Sequence, residues 1–259
     1  MIEEPYRWVE AIANRREYIE AQLASGSPIA ALGYRDGILF LTLGQRRQKI
    51  FEIYDRIAMG AIGHPGDIER LRMAAIELAS TEGFTRSAAD VSLRRLVHYS
   101  LSPLMKGAFE QVYGAPYLAR MLFAEVGERS AEDLFLRVEY DGEIATNGAT
   151  FAQVRQDFAV LSGTRQSREL MESFLKAEHG ADASFETALK AALEAWTIGH
   201  MTLQTNDAKE LPERAAITKY RQEQLANTGI EAGVLERDAG RTIRYHSLSD
   251  TELRSLIND

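Results

Sequence analysis

A chain of 259 residues, 45% of them hydrophobic, is long enough to bury a substantial core and reads as one large domain. Its 38 acidic and 30 basic residues leave a formal charge of -8, so it offers no basic field for a phosphate backbone and a nucleic-acid partner is not expected. The absence of cysteine excludes disulfides, thiolate metal sites and a cysteine nucleophile.

The first residues open acidic and turn amphipathic, whereas a secretory signal starts basic and runs apolar for roughly 7 to 15 residues. No segment approaches the roughly 20 apolar residues that span a bilayer. The cytosol is the expected compartment, with no membrane partner. From Pro5 to Leu23 the residues Trp8, Val9, Ile12, Ile19 and Leu23 recur at helical spacing, and Pro5 suits a first turn. The stripe breaks at Arg15 and Arg16, whose aliphatic stems are expected to cover the gap while the guanidinium groups reach solvent or an acidic neighbour. Gly26, Ser27 and Pro28 end this helix.

Residues 29–42, IAALGYRDGILFLT, place two apolar runs around Asp36-Gly37 and predict a hairpin whose tight turn takes its positive dihedrals from that pair. Lys49–Ile53 and Ile57–Ile62 read as two more short strands. Pro65 starts a helix carrying Ile68, Leu71, Ala75 and Leu78, and a long second helix follows Asp90, with Pro103 a candidate kink. Strand character returns at Tyr117–Val126, Leu134–Tyr140 and Phe158–Leu161, with a turn at Asp141-Gly142. Two helices come next, marked by Leu170 to Leu175 and by Phe185 to Trp196. Glu231–Glu236 and Thr242–His246 form an expected final hairpin around Asp238-Ala239-Gly240, and Leu253, Leu256 and Ile257 dock a terminal helix. The polar stretch 206–228 reads as an inserted mobile loop or a solvated helix. Strands and helices arrive in blocks, which predicts stacked antiparallel sheets flanked by helices and not a doubly wound nucleotide fold.

The chemistry-bearing residues form no catalytic pattern. There is no P-loop and no G-x-G-x-x-G, and the five histidines, His64, His98, His179, His200 and His246, lie outside any metal-ligand spacing. Neither a metal nor a cofactor is expected. His98 and Ser102 sit four apart with no acid to complete a triad. The carboxylate pairs Asp67 and Glu69, and Glu231 and Glu236, read as solvated surface, while Arg46-Arg47 and Arg94-Arg95 fit intersubunit ion pairs or solvent.

Block order and local motifs converge on a resemblance to the α-type subunit of the 20S proteasome, in its bacterial, actinobacterial-like branch. It is carried by PYRWVEAIANRREYI, SPIAALGYRDGILFLTL, QKIFEIYDRIAMGAIGHPGDIERLRMAA, VSLRRLVHYSLSPLMKGAFEQVYG, LARMLFAEVG, LFLRVEYDG and GVLERDAGRTIRYHSLSDTELRSLI. The block from Gln48 through the start of the Pro65 helix is the most specific. Stretch 206–228 departs from the family pattern, as does the short tail ahead of Pro5.

The resemblance implies a four-layer α/β/β/α sandwich, the fold of N-terminal-nucleophile hydrolases and proteasome subunits, spanning 1–259 as a single domain with an extra N-terminal helix. It implies self-assembly into a heptameric ring, built in part by the helix within residues 5–24, which stacks on a β-type peptidase ring and docks a ring-shaped ATPase or other activator. Unfolded substrates pass through such a ring. Peptidase members of the fold use an N-terminal threonine at the start of the first strand and an aspartate at the end of the second. Threading through Gly33 puts Ile29 at or near the first of those places and Leu43 at the second, and neither side chain can do the work, so no catalytic residue is expected. The enzyme alternative is cleavage at Gly26-Ser27 to free Ser27 as nucleophile; a turn hydroxyl is the simpler role. Gly163-Thr164 follows a late strand, and cleavage there would discard half the fold.

The resemblance also singles out Lys49, by its place in QKI, as the lysine that receives the C-terminal carboxylate of an activator. Tyr54, Asp55 and Arg56 match a structural strand-turn segment. Residues 1–4 are the expected gating tail, although four extended residues reach only about 14 Å.

Overall fold

The computed structural model describes residues 5–44, 47–111, 113–145, 157–180, 182–205, 210–238 and 243–258. Two five-stranded antiparallel sheets stack face to face. The first has the order β10-β9-β2-β1-β8, built from β1 (Ile29–Tyr34), β2 (Gly37–Gly44), β8 (Phe158–Leu161), β9 (Gly229–Glu236) and β10 (Tyr245–Leu248). The second runs β3-β4-β5-β6-β7, from β3 (Ile50–Tyr54), β4 (Ile57–Gly63), β5 (Ala119–Glu125), β6 (Leu134–Val138) and β7 (Ile144–Ala145).

Three apolar layers make this a four-layer α/β/β/α sandwich. Ile29, Ala31, Ile38 and Phe40 meet Ala58, Ile62, Leu122 and Phe135 between the sheets. On the outer face of the first sheet, Leu32, Leu39 and Leu41 pack on Met171, Leu189 and Trp196 of α5 (Arg165–Glu178) and α6 (Phe185–Gln204). On the second, Met59, Met121 and Phe123 pack on Leu71, Leu96 and Met105 of α2 (Pro65–Thr85), α3 (Leu93–Leu96) and α4 (Ser102–Glu110). Strands β1 and β2 are covered on both faces, which is why they read as continuous apolar runs and not as alternating ones.

Local chemistry differs from the expectations at three places. The first hairpin forms, but Tyr34 pairs with Gly37, so Arg35 and Asp36 are the turn and Gly37 opens β2. Among the described glycines only Gly63 and Gly142 have positive φ. Gly37 is required for space, because a Cβ there would collide with the Leu235 carbonyl of β9. Pro103 is accommodated by a π-helical turn over Val97–Leu101 between α3 and α4, which re-phases the helix ahead of the missing N–H. The last strand is Tyr245–Leu248 and not 242–246; Gly240 falls outside the described residues. Asp141-Gly142 turns as expected, with Gly142 at φ 83°.

Helix α1 (Pro5–Leu23) buries Ile19 and Leu23, leaves Trp8, Val9 and Tyr18 exposed, and is otherwise held by charge. The Arg120 guanidinium, with only 6% of its side chain exposed, donates to both Glu20 oxygens at 2.6 Å, and the Tyr140 hydroxyl donates to Glu20 at 2.8 Å. Arg16 pairs with Asp141 at 2.9 Å and lies over the Phe109 ring, so the gap in the apolar stripe is filled by arginine. Within 206–228, Arg214–Asn227 is a helix, α7, resting on α6 through Ile217 and Tyr220; residues 206–209 lie outside the described residues, as does the tail 1–4. Helix α8 (Asp250–Asn258) closes the fold with Leu253 buried.

Candidate functional site

Where α1 ends, the chain folds back over the start of the second sheet and leaves a cleft of about 720 Å³. Leu23, Gly26, Lys49, Phe51, Gly63 and Ile68 are among the residues that line it. Its shape depends on Gly63, which adopts φ +133° at the end of β4 and where any Cβ would collide with the Leu118 carbonyl. The sharp exit from β4 launches α2. His64 is its N-cap, with Nδ1 accepting from the Gly66 amide at 3.2 Å, and Pro65 occupies the first helical turn. Asp67, in the same turn, accepts from the Leu118 amide at 3.0 Å and ties the helix to β5, so it is structural and not merely solvated.

Lys49 precedes β3 and its backbone is clamped. The Glu231 carboxylate on β9 accepts from the Lys49 amide at 2.9 and 3.1 Å and from the Ile50 amide at 2.8 Å. Both Glu231 oxygens are thereby occupied, and among the described residues no carboxylate lies within ion-pair distance of the Lys49 ammonium. Burial pushes the Lys49 pKa down, and the Glu231 charge opposes that shift. Burial likewise pushes the Glu231 pKa up, against the pull of the two amides and of Lys49. The result is a desolvated ammonium on a clamped backbone, without an ion-pair partner among the described residues, belonging to a residue that lines a cleft together with Leu23, Phe51, Ile62 and Ile68. Such a group takes up a carboxylate through charge-assisted hydrogen bonds.

Glu231 is the residue that sequence reasoning missed. The signal was present: in β9 the period of two sets Glu231 on the same face as Gly233 and Leu235, and Leu235 lies in the layer between the sheets. A carboxylate on that face has to find donors.

The residues that the family resemblance aligns with a peptidase's nucleophile and acid are both apolar and buried. Ile29 is fully buried between the sheets, and Leu43 is buried under the α5–α6 layer. Ser27 donates its hydroxyl to the Leu43 carbonyl at 2.9 Å, and Thr164 is the N-cap of α5, accepting from Ser167. Ser102 donates to the Gly142 carbonyl at 2.6 Å. Arg56 pairs with Glu125 at 3.5 Å and Asp55 faces Arg244 at 3.9 Å. Arg95 pairs with Glu82 at 2.6 Å, Arg47 lines the Lys49 cleft, and Arg46 lies outside the described residues. Among the described residues no three histidine, aspartate or glutamate side chains converge as metal ligands. The histidines are separately engaged: His179 contacts the Gly33 carbonyl at 2.9 Å, and His200 lies 2.8 Å from the Tyr220 hydroxyl and stacks on Trp196. Among the described residues no helix is long and apolar enough to cross a membrane.

Two stacked antiparallel sheets between helical layers, with a helix ahead of β1 where a peptidase would begin, define a sandwich of the proteasome-subunit class, α-type in form. The chain belongs to the proteasome α-subunit family: it is 32% identical to the proteasome subunit alpha of a Parafrankia species over 73% of this chain and 74% of that one. It is 30% identical to that of Frankia casuarinae, over 90% of this chain and 87% of the relative, and 30% identical to that of Streptomyces scabiei, over 88% of each. No protein-family model matches it.

Proposed function

We propose that this chain is the non-catalytic outer-ring subunit of a cytoplasmic 20S-type proteasome, assembling as a heptamer on β-type peptidase subunits and receiving an activator's C-terminal tail at Lys49. The observation that carries the docking role is Lys49, which lines the cleft beside α1 and has no ion-pair partner among the described residues. A chain terminus supplies what that cleft lacks, a carboxylate for the ammonium and apolar side chains for Leu23, Phe51, Ile62 and Ile68. Ile29 and Leu43 at the nucleophile and acid positions favour a subunit that carries no peptidase chemistry. Helix α1, anchored by Glu20 and Arg16 and showing Trp8, Val9 and Tyr18 to solvent, suits a ring contact. Residues 1–4 are the gate in this scheme.

The test is an assembled particle carrying Lys49→Ala, assayed for activator-stimulated peptide hydrolysis. Stimulation is expected to be lost while basal hydrolysis and ring assembly persist; undiminished stimulation overturns the docking role. Deleting residues 1–4 is expected to raise the basal rate, and an equal rate overturns the gate.

A further inference from the structure

We propose that Glu231 is the positioning residue of the Lys49 site: its carboxylate fixes the backbone from which the ammonium projects and supplies the negative field that keeps it charged inside the cleft. This rests on the docking role of Lys49.

The geometry separates two duties that one ion pair would have merged. Glu231 Oε1 accepts from the Lys49 amide at 2.9 Å and from the Ile50 amide at 2.8 Å, and Oε2 accepts from the Lys49 amide at 3.1 Å. Those contacts cross from the first sheet to the entry of the second, between residues 182 and 181 positions apart in sequence. Lys49 therefore starts from a backbone locked to β9 and not from a free loop end. A direct contact between carboxylate and ammonium would occupy the group a ligand needs. Held on the amides, Glu231 acts on Nζ through space and leaves its donors free.

Other charged or titratable groups lie around this pair. Tyr245 of β10 faces Glu231 and Glu52, with its hydroxyl 3.5 Å from the Ile50 carbonyl. His200 of α6 feels the Lys49 charge, and its pKa is lowered first by burial and then by that charge. Arg47 shares the cleft. Glu69 of α2 also lines the cleft, with both its oxygens taken by Arg72 at 2.8 and 2.7 Å. The charge that favours the charged form of Lys49, against the burial that disfavours it, is that of Glu231.

The consequence is a pH signature that a purely structural clamp would not produce. Glutamine at 231 keeps an amide-accepting oxygen at the Oε1 position and removes the charge. The alkaline limb of tail binding, where Lys49 loses its proton, is expected to move toward neutrality in Glu231→Gln. The probe is a short fluorescent peptide with an apolar C-terminal residue and a free carboxylate, titrated from neutral to alkaline pH against the assembled protein, with the C-terminally amidated peptide as control. In the double variant Glu231→Gln/Lys49→Arg the limb is expected to vanish, because a guanidinium keeps its proton throughout. Superimposable limbs for wild type and Glu231→Gln overturn the proposal. Lys49→Ala binding the peptide as wild type does is a different result, the failure of the docking role. In that case the pH dependence of Lys49 acylation by an amine-selective reagent, read by mass spectrometry, still decides: faster acylation near neutral pH in Glu231→Gln supports the field of Glu231, and equal rates reject it.

Discussion

Strand β9 carries Glu231 near its start and is followed directly by Arg237, and both reach across toward the second sheet's side of the sandwich, with opposite outcomes. Just beyond Glu236, Arg237 meets Asp133 in a two-pronged pair, at 2.7 and 2.9 Å, with 11% and 2% of the side chains exposed. The Gly127 carbonyl takes a further guanidinium bond at 3.0 Å, so the charges at that end are satisfied and sealed. At the other end the Glu231 oxygens accept from backbone amides, and the neighbouring cation, Lys49, has no ion-pair partner among the described residues. The first arrangement closes the sandwich. The second leaves charge available to a ligand at some cost in stability, as binding sites commonly do.

That contrast breaks most visibly at the closed end. Arg237→Ala leaves the buried Asp133 carboxylate without its cation and is expected to cost about 3–5 kcal/mol in denaturant unfolding, with tail binding unaltered in whatever fraction remains folded. Glu231→Ala strips the acceptor from two amides and is expected to cost about 1–3 kcal/mol together with loss of tail binding, a combination to be checked by unfolding and by peptide titration on the same preparation. Lys49→Met should move stability the other way or not at all, by at most about 1 kcal/mol, because a desolvated charge is replaced by an apolar chain, while abolishing tail binding. A marked loss of stability in Lys49→Met would show that the ammonium is a structural ion. Smallest is Tyr245→Phe, whose hydroxyl lies a long 3.5 Å from the Ile50 carbonyl; under about 1 kcal/mol and no change in tail affinity are expected.

Acidity sharpens the comparison further. Burial raises the Glu231 pKa above its unfolded value, so the folded state takes up this proton more readily than the unfolded chain. Its contribution therefore lowers stability as pH rises through the folded pKa, and that penalty is absent below the unfolded pKa. Stability of the wild type relative to Glu231→Gln should accordingly improve as pH falls from neutral into the carboxylate range. A chemical-denaturation series of the two proteins over that range, yielding a constant difference, would falsify the assignment of Glu231 as a buried charge.

Much of this was legible in one dimension. Helix α1 and strand β8 have the boundaries that the apolar spacing indicated, because a helical stripe and a short apolar run between turn residues are local signals. Lys49 was picked out by its place in a family block, with no property of the residue itself to mark it. For Glu231 the period of two along β9 gives the face, but the amides that meet its carboxylate there belong to Lys49 and Ile50, far away along the chain. Gly37 was taken for a turn residue when its constraint is the Leu235 carbonyl, on a strand far along the sequence.

The order of residues was sufficient for the blocks and for the absence of cysteine chemistry. These depend on residue identity and short-range period. Which strands neighbour each other, that β9 lies beside β2, and that Glu231 therefore reaches Lys49, followed only from the packed sheets. The physical reason is that a buried charge is defined by its surroundings: desolvation and the donors around a carboxylate come from chain segments brought together by burial of the apolar layers.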